Sequence, residues 1–351
     1  MKAARLHNYD PKLNENLKIE EVDEPKIEGP LDVIVRIGGA GLCRTDIHIM
    51  EGQWKELSGV TLPYTLGHEN AGWVEEVGSA VTNVEVGDAV VLHPLITCGL
   101  CRACRAGDDM HCVAGVFPGI DSDGGFADLL KTNARAMVKL PEGVEPKDIA
   151  AHADAGLTAY HAVKKASNVL YPGTKTVVTG AGGGLGHIGI QCLKAMTPTE
   201  IIAVDASEEA LELARSLGAD HTVHIDGTQV EQVQEITEGM GAKVVLDFVV
   251  EKGAIEDGIA MLGRAGDYHV IGYGVNLNIP TIEIISSEIN FVGDLVGTYN
   301  DLAELMTLAA QGKVELQTET YPLDAVNDAI ADLENGKLHG RGILVPEGAA
   351  A

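Results

Sequence analysis

The stretch Cys43-Arg44-Thr45-Asp46-Ile47-His48 offers a thiol, a hydroxyl, a carboxylate and an imidazole within six residues, and Gly67-His68-Glu69 adds an imidazole and a carboxylate about twenty residues later. Zinc takes Cys sulfur, His nitrogen and carboxylate oxygen in a tetrahedron, and a catalytic zinc keeps one corner open for water or substrate. Cys43 and His68 are therefore candidate ligands, with Thr45 and His48 close by to move a proton. Alone the pattern only suggests this, since a single Cys is more often a small buried hydrophobe.

A second cluster is more specific. Cys98, Cys101, Cys104 and Cys112 place four thiols in fifteen residues, a spacing suited to a closed structural zinc site. Bacterial ferredoxins also space cysteines closely, but their fourth Cys follows after three residues and precedes a proline; here seven residues intervene and Val113 follows. His111 adjoins Cys112, but the set is complete without it. A zinc ribbon on nucleic acid would use similar cysteines.

The run 176–179 leads into Gly180-Ala181-Gly182-Gly183-Gly184-Leu185-Gly186-His187-Ile188-Gly189. A strand, a glycine turn and a helix N-terminus form a pyrophosphate site, because free amides and the helix dipole face the anion. From the strand end the glycines are 180, 182 and 186, one residue longer than the strict spacing; the strict spacing fits 184, 186 and 189. Asp205 follows the next apolar run, 201–204, where a carboxylate holds the adenosine ribose of NAD and repels the extra phosphate of NADP. The competing reading is that Asp205 or Ser207 caps the following helix. No Arg follows Asp205 directly, so NAD is expected, with NADP left open.

These residues need elements to hold them. At 351 residues the chain exceeds one ordinary core, and two domains are expected. Short alternating runs punctuated by glycine (33–37, 72–78, 86–92) predict a compact, mostly antiparallel β domain at the N-terminal side. From about 155 the pattern changes. Buried-strand runs at 176–179, 201–204, 244–248 and 268–271 alternate with helical stretches such as 207–217, which predicts a parallel sheet of βαβ units. A helix at 301–311 and a closing stretch ending at 345 are assigned back to the first domain. Cys192, in the helix after the glycine turn, is read as packing; Trp54 and Leu295 either line a cleft or belong to the core.

The chain carries 25 basic and 52 acidic residues, a net charge of −27. That balance argues against nucleic acid, whose binding depends on basic groups, and it disfavours the zinc-ribbon reading. Because the acids are scattered through periodic segments rather than gathered in a tail, self-repulsion relieved by salt is expected, as in a protein adapted to molar salt. No apolar run reaches membrane length, and the first residues, MKAARLHNYD, lack the apolar core of a signal peptide; a cytoplasmic protein is expected.

Taken together, these motifs resemble the zinc-containing alcohol dehydrogenases of the medium-chain dehydrogenase/reductase family, in particular its archaeal and bacterial tetrameric members, over essentially the whole chain. The resemblance implies an α/β protein: a GroES-like, mostly-β catalytic domain over 1–153 with a structural zinc lobe at about 95–113, a Rossmann NAD-binding domain of doubly wound parallel sheet over 154–297, and a return to the first domain over 298–351. It implies one catalytic and one structural zinc per chain. Cys43 and His68 would bind the former, Asp46 would orient His68, and Glu69 would approach or ligate the metal. The third ligand is implied within 153–158, at Asp154, where many members carry Cys; His152 is its rival. Thr45 and His48 would relay the proton, Thr158 would lie against the nicotinamide, and Gly180, Gly182, Gly183, Gly184, Leu185 and Gly186 would hold the pyrophosphate. Arg341 is either a further pyrophosphate contact or a plain surface charge. The implied reaction interconverts small alcohols with aldehydes or ketones using NAD, in a homotetramer without membrane or nucleic-acid partners. A sugar or polyol dehydrogenase of the same fold is the alternative, and a non-catalytic zinc or nucleotide carrier a more distant one.

Overall fold

The computed structural model describes every residue except 15, 252, 339 and 349–351. The chain divides into two compact units. Met1–Ala155, Thr298–Met306 and Leu316–Ala351 form the first; Gly156–Gly297 and Thr307–Glu315 form the second.

The first unit is built on the long strand Asp32–Leu42. Its β-branched run Val33-Ile34-Val35 suits a pleated, packed surface, and it pairs antiparallel with Glu69–Val77, Leu129–Asn133 and Arg341–Val345. Val33, Val35 and Ile37 pack with Val74, Val90, Leu130 and Leu344 in one apolar core. The last strand returns the C-terminal chain to this unit: Gly342, Ile343 and Leu344 lie opposite Leu42, Gly41 and Ala40. The run expected as a strand over 86–92 is shorter, Ala89–Leu92. Asp88 accepts the Glu85 N–H at 2.9 Å, Gly87 takes φ +92°, and this turn occupies the first three residues.

The second unit holds six parallel strands: Lys175–Thr179, Glu200–Asp205, His221–His224, Ala242–Asp247, Leu262–Val270 and Asn290–Gly293. Numbered in chain order they run 3-2-1-4-5-6, the doubly wound order of a Rossmann sheet. The fold is thus α/β with a mostly antiparallel β unit and a parallel one. Four strands end in one register row, with Thr179 beside Asp247, Asp247 beside Val270, and Val270 beside Gly293. The edge strands His221–His224 and Asn290–Gly293 are four residues each, and neither holds more than two adjacent apolar residues, which is why the sequence did not announce them. Leu262–Val270 starts six residues before its expected position, because parallel pairing to Ala242 extends it through residues with no hydrophobic alternation.

Candidate active site and metal centres

Cys43 leaves the end of Asp32–Leu42 in extended conformation (φ −116°, ψ 154°) and caps the helix Arg44–Met50. The Asp46 carboxylate accepts the Cys43 N–H at 2.9 Å through Oδ2. Its Oδ1 stands 3.4 Å from His68 Nδ1, and both side chains are buried. One short helix therefore fixes the thiol and aims the imidazole. Thr45 and His48, three residues apart and both half-buried, lie on one face of that helix.

Glu69 opens its strand directly opposite Gly41. A Cβ on Gly41 would stand 2.0 Å from Glu69 Oε2, so the buried carboxylate occupies space that only glycine leaves. Nothing in the sequence marks Gly41 apart from its neighbours Gly38 and Gly39. Glu69 Oε1 accepts the Ala155 N–H at 3.3 Å and the Arg341 guanidinium. Asp154 follows the 3-10 turn Ala150–Ala153 and brings Oδ2 to 3.4 Å from His68 Nε2.

Cys43, His68, Glu69 and Asp154 each present a ligand atom within 4.8 Å of the others; among the described residues this group takes in Asp154 and not His152. Two O or N ligands about 2.1 Å from a tetrahedral centre lie about 3.4 Å apart, which matches the His68–Asp154 separation. Both ring nitrogens of His68, Asp46 Oδ1 and Glu69 Oε2 are buried without a hydrogen-bond partner of good geometry. Burial would lower the His68 pKa, but Asp46, Asp154 and Cys43 outweigh it and raise it well above the ordinary value. The cage is suited to a cation. Its donor set and spacing fit zinc.

Arg341 is 4 % exposed, which removes the surface-charge reading. Its guanidinium donates to Glu69 Oε1, which sets it beside the candidate metal cage. Phe117 stands edge-on to His68 at 5.9 Å, a contact sequence spacing did not signal. Trp54 is half-buried against the first unit's core. Leu295, in the second unit, is 56 % exposed.

The four lobe thiols also converge, with all sulfurs within 4.8 Å. Cys101 and Cys104 are 3.5 Å apart and Cys98 and Cys104 4.0 Å, bracketing the roughly 3.8 Å edge of a tetrahedron with 2.3 Å Zn–S bonds. Backbone amides of Cys104 and Val113 hold the Cys101 thiol down to about 6, while burial pushes Cys104 up to about 12. Cys98 accepts the N–H groups of Leu100 and Cys101, each at 3.4 Å. Amides aimed at sulfur favour thiolates, the form a metal binds.

In the second unit, the glycine turn follows Thr179. A Cβ on Gly186 would meet Gly180 O at 2.1 Å, so the turn closes on itself only with glycine there. His187, buried in the first turn of Gly186–Met196, bonds Gly183 O through Nδ1 at 2.8 Å. Asp205 Oδ2 accepts the Gly182 N–H at 3.0 Å, joining the ribose candidate to the glycine turn, and Ser207 is the residue that caps the next helix. Thr158 is buried in the first turn of Ala155–Ala166. Cys192 is fully buried, its thiol pushed up to about 12. At the sheet's switch point, Asp247 is fully buried and accepts Thr179 Oγ1 at 2.6 Å, the N–H groups of Val249 and Val250 at 2.9 and 3.0 Å, and Tyr268 Oη.

Residues 29–142 match the family "Alcohol dehydrogenase GroES-like domain", and residues 184–311 match "Zinc-binding dehydrogenase". An NAD-dependent alcohol dehydrogenase of Sulfurisphaera tokodaii is 38% identical over 355 residues, covering 99% of this chain and 100% of that protein. The crystal structure of the alcohol dehydrogenase from Aeropyrum pernix superposes with a TM-score of 0.95 at 50% identity, covering 99% of this chain and 100% of the other. A D-arabinose 1-dehydrogenase (NADP(+)) of Saccharolobus solfataricus is 32% identical, covering 98% and 97%. With two metal cages of zinc dimensions, a doubly wound dinucleotide sheet and full-length kinship, the chain belongs to the zinc-containing alcohol dehydrogenases of the medium-chain dehydrogenase/reductase family.

Proposed function

We infer that the protein is a zinc- and NAD-dependent oxidoreductase that interconverts alcohols with aldehydes or ketones. The observation that carries this reading is the convergence of Cys43, His68, Glu69 and the half-buried Asp154, with His68 Nε2 left for a cation while Nδ1 faces Asp46. Cys43, His68 and Asp154 hold the catalytic zinc, and Glu69 stands by it as an alternative carboxylate. When bound, the zinc supplies Lewis acidity toward the substrate oxygen. Asp46 keeps the His68 ring turned to the metal. Thr45 accepts the alcohol's proton and His48 passes it outward, a task suited to an imidazole near neutral pH. Cys98, Cys101, Cys104 and Cys112 hold a structural zinc.

In the dinucleotide half, Gly180, Gly182, Gly183, Gly184, Leu185 and Gly186 receive the pyrophosphate, Asp205 takes the ribose hydroxyls and thereby favours NAD, and Thr158 borders the nicotinamide. The first unit is the catalytic domain and the second the NAD-binding domain. Exposed Val275, Leu277, Ile282 and Ile285 on the second unit and Leu100 and Val113 on the lobe support assembly into a homotetramer. The protein works in the cytoplasm, where reduced thiols remain available to zinc, and its acidic surface suits high salt; no helix among the described residues is long and apolar enough to cross a membrane.

The test is a panel of one primary alcohol, one secondary alcohol and glucose, read at the NADH absorbance with NAD and with NADP. Turnover of an alcohol with NAD, lost on chelation and restored by zinc, is expected. The D-arabinose enzyme among the relatives makes a sugar the second reading, which faster turnover of glucose would favour. Zinc content of Asp154→Ala and His152→Ala tests the third ligand; loss only in the second would overturn Asp154.

A further inference from the structure

Behind the rim of the parallel sheet lies a polar chain, buried at Asp294 and His269 and half-buried at Lys165, that no catalytic assignment uses. Lys165, near the end of its helix, places Nζ 2.8 Å from Asp294 Oδ1 and 2.7 Å from Gly293 O. Asp294 Oδ2 lies 2.8 Å from His269 Nδ1, and both side chains are buried. The ionised carboxylate can only accept, so His269 Nδ1 carries the proton. Its Nε2 is buried without a partner among the described residues, an arrangement costly to keep for packing alone.

The position of this chain in the fold narrows what it does. Gly293 ends its strand in the same row as Thr179, Asp247 and Val270, so Asp294 sits one step beyond the carboxyl ends of the strands, where doubly wound sheets bind their ligands. The dinucleotide straddles the switch between Lys175–Thr179 and Ala242–Asp247. Asp205 belongs to the half that takes the adenosine ribose; Asp294 belongs to the other half. Two residues on, Val296 takes φ +49°, a left-handed conformation that a β-branched residue adopts only when its surroundings impose it. The Asp294 N–H is bonded to Val270 O at 3.1 Å, and Lys165 grips the carbonyl just before it. The chain therefore enters the strained turn already fixed on both sides of the backbone.

We propose that Asp294, clamped between Lys165 and His269, is a positioning residue that holds the strained turn through Val296 as the seat for the nicotinamide end of the cofactor. This rests on the dehydrogenase reading above. It is tested on the zinc-loaded full chain by measuring dissociation constants for NADH, by its fluorescence, and for ADP-ribose, which lacks the nicotinamide, by calorimetry. Asp294→Asn should weaken NADH about tenfold and leave ADP-ribose within about twofold. Lys165→Met, which removes one arm at a half-buried position, should act in the same direction more weakly, and Lys165→Arg should restore much of the loss. Equal weakening of both ligands, or no change in either, would reduce the cluster to a structural brace and overturn the proposal. Unaltered protein that binds neither ligand would overturn the dehydrogenase reading itself, and this inference with it.

Discussion

Replacing Arg341 by Met should destabilise the first unit far more than replacing Arg341 and Glu69 together. Both partners are buried, with side chains 5 % and 0 % exposed. Burial raises the Glu69 pKa, and Arg341 is the foremost group opposing that rise. Removing one member of a buried pair leaves an uncompensated charge and costs about 3–5 kcal/mol, whereas replacing both can be nearly neutral. For a unit of roughly 200 residues, each kcal/mol moves the melting temperature by about 2–4 °C, so the single variant should lose roughly 6–20 °C. In Arg341→Met with Glu69→Gln, the amide oxygen can still accept the Ala155 N–H, and the pair should recover most of that loss. Both tryptophans, Trp54 and Trp73, lie in the first unit, so their fluorescence reports its unfolding separately from the second. The measurement is made first on metal-free protein, so that altered zinc affinity does not enter, and then on zinc-loaded protein. A single-variant loss below about 1 kcal/mol, the behaviour of an exposed pair, or a double variant as unstable as the sum of the singles, would refute the reasoning.

Two further outcomes follow from charge. Burial would raise the Asp294 carboxyl, but His269 and Lys165 outweigh it and hold it below its ordinary 3.8. A carboxyl depressed on folding contributes stability that is present above its unfolded value and is lost as pH falls through the folded one; the stability gap between unaltered protein and Asp294→Asn should therefore be constant near neutrality and close below about pH 4, and a gap that persists undiminished to about pH 2.5 would contradict this. With a net charge of −27, unfolding midpoints should rise steadily with KCl from about 0.1 M to molar concentrations as screening relieves repulsion, and full stability at the lowest salt would end the salt-adaptation proposal.

What could be read from the sequence was whatever depends on residue type at fixed local spacing. The four lobe cysteines need only a loop of fifteen residues to meet. The glycine turn and Asp205 belong to one strand–helix–strand unit, and the change from alternating runs to βα rhythm near residue 155 reflects a change of sheet type. Cys43 and His68 were legible as donors for a related reason: each sits at the junction of a strand with its neighbour, and the helix Arg44–Met50 keeps Asp46 in reach of both.

The features that escaped depend on long-range register. Gly41 matters only because antiparallel pairing sets it opposite Glu69, and Arg341 reaches that carboxylate only because Gly342 pairs with Leu42 from the far end of the chain. A residue that looks like a free cation in sequence becomes an internal counter-ion once the closing strand docks. Asp294 and Asp247 illustrate the same rule in the parallel sheet: each lies at or just past the end of a strand, an ordinary place for an aspartate in a turn. Only the common row of strand ends reveals them as buried carboxylates at the rim where doubly wound sheets bind their ligands. Local chemistry thus announced the donors, while the groups that hold those donors under constraint came from register, which no short window of sequence contains.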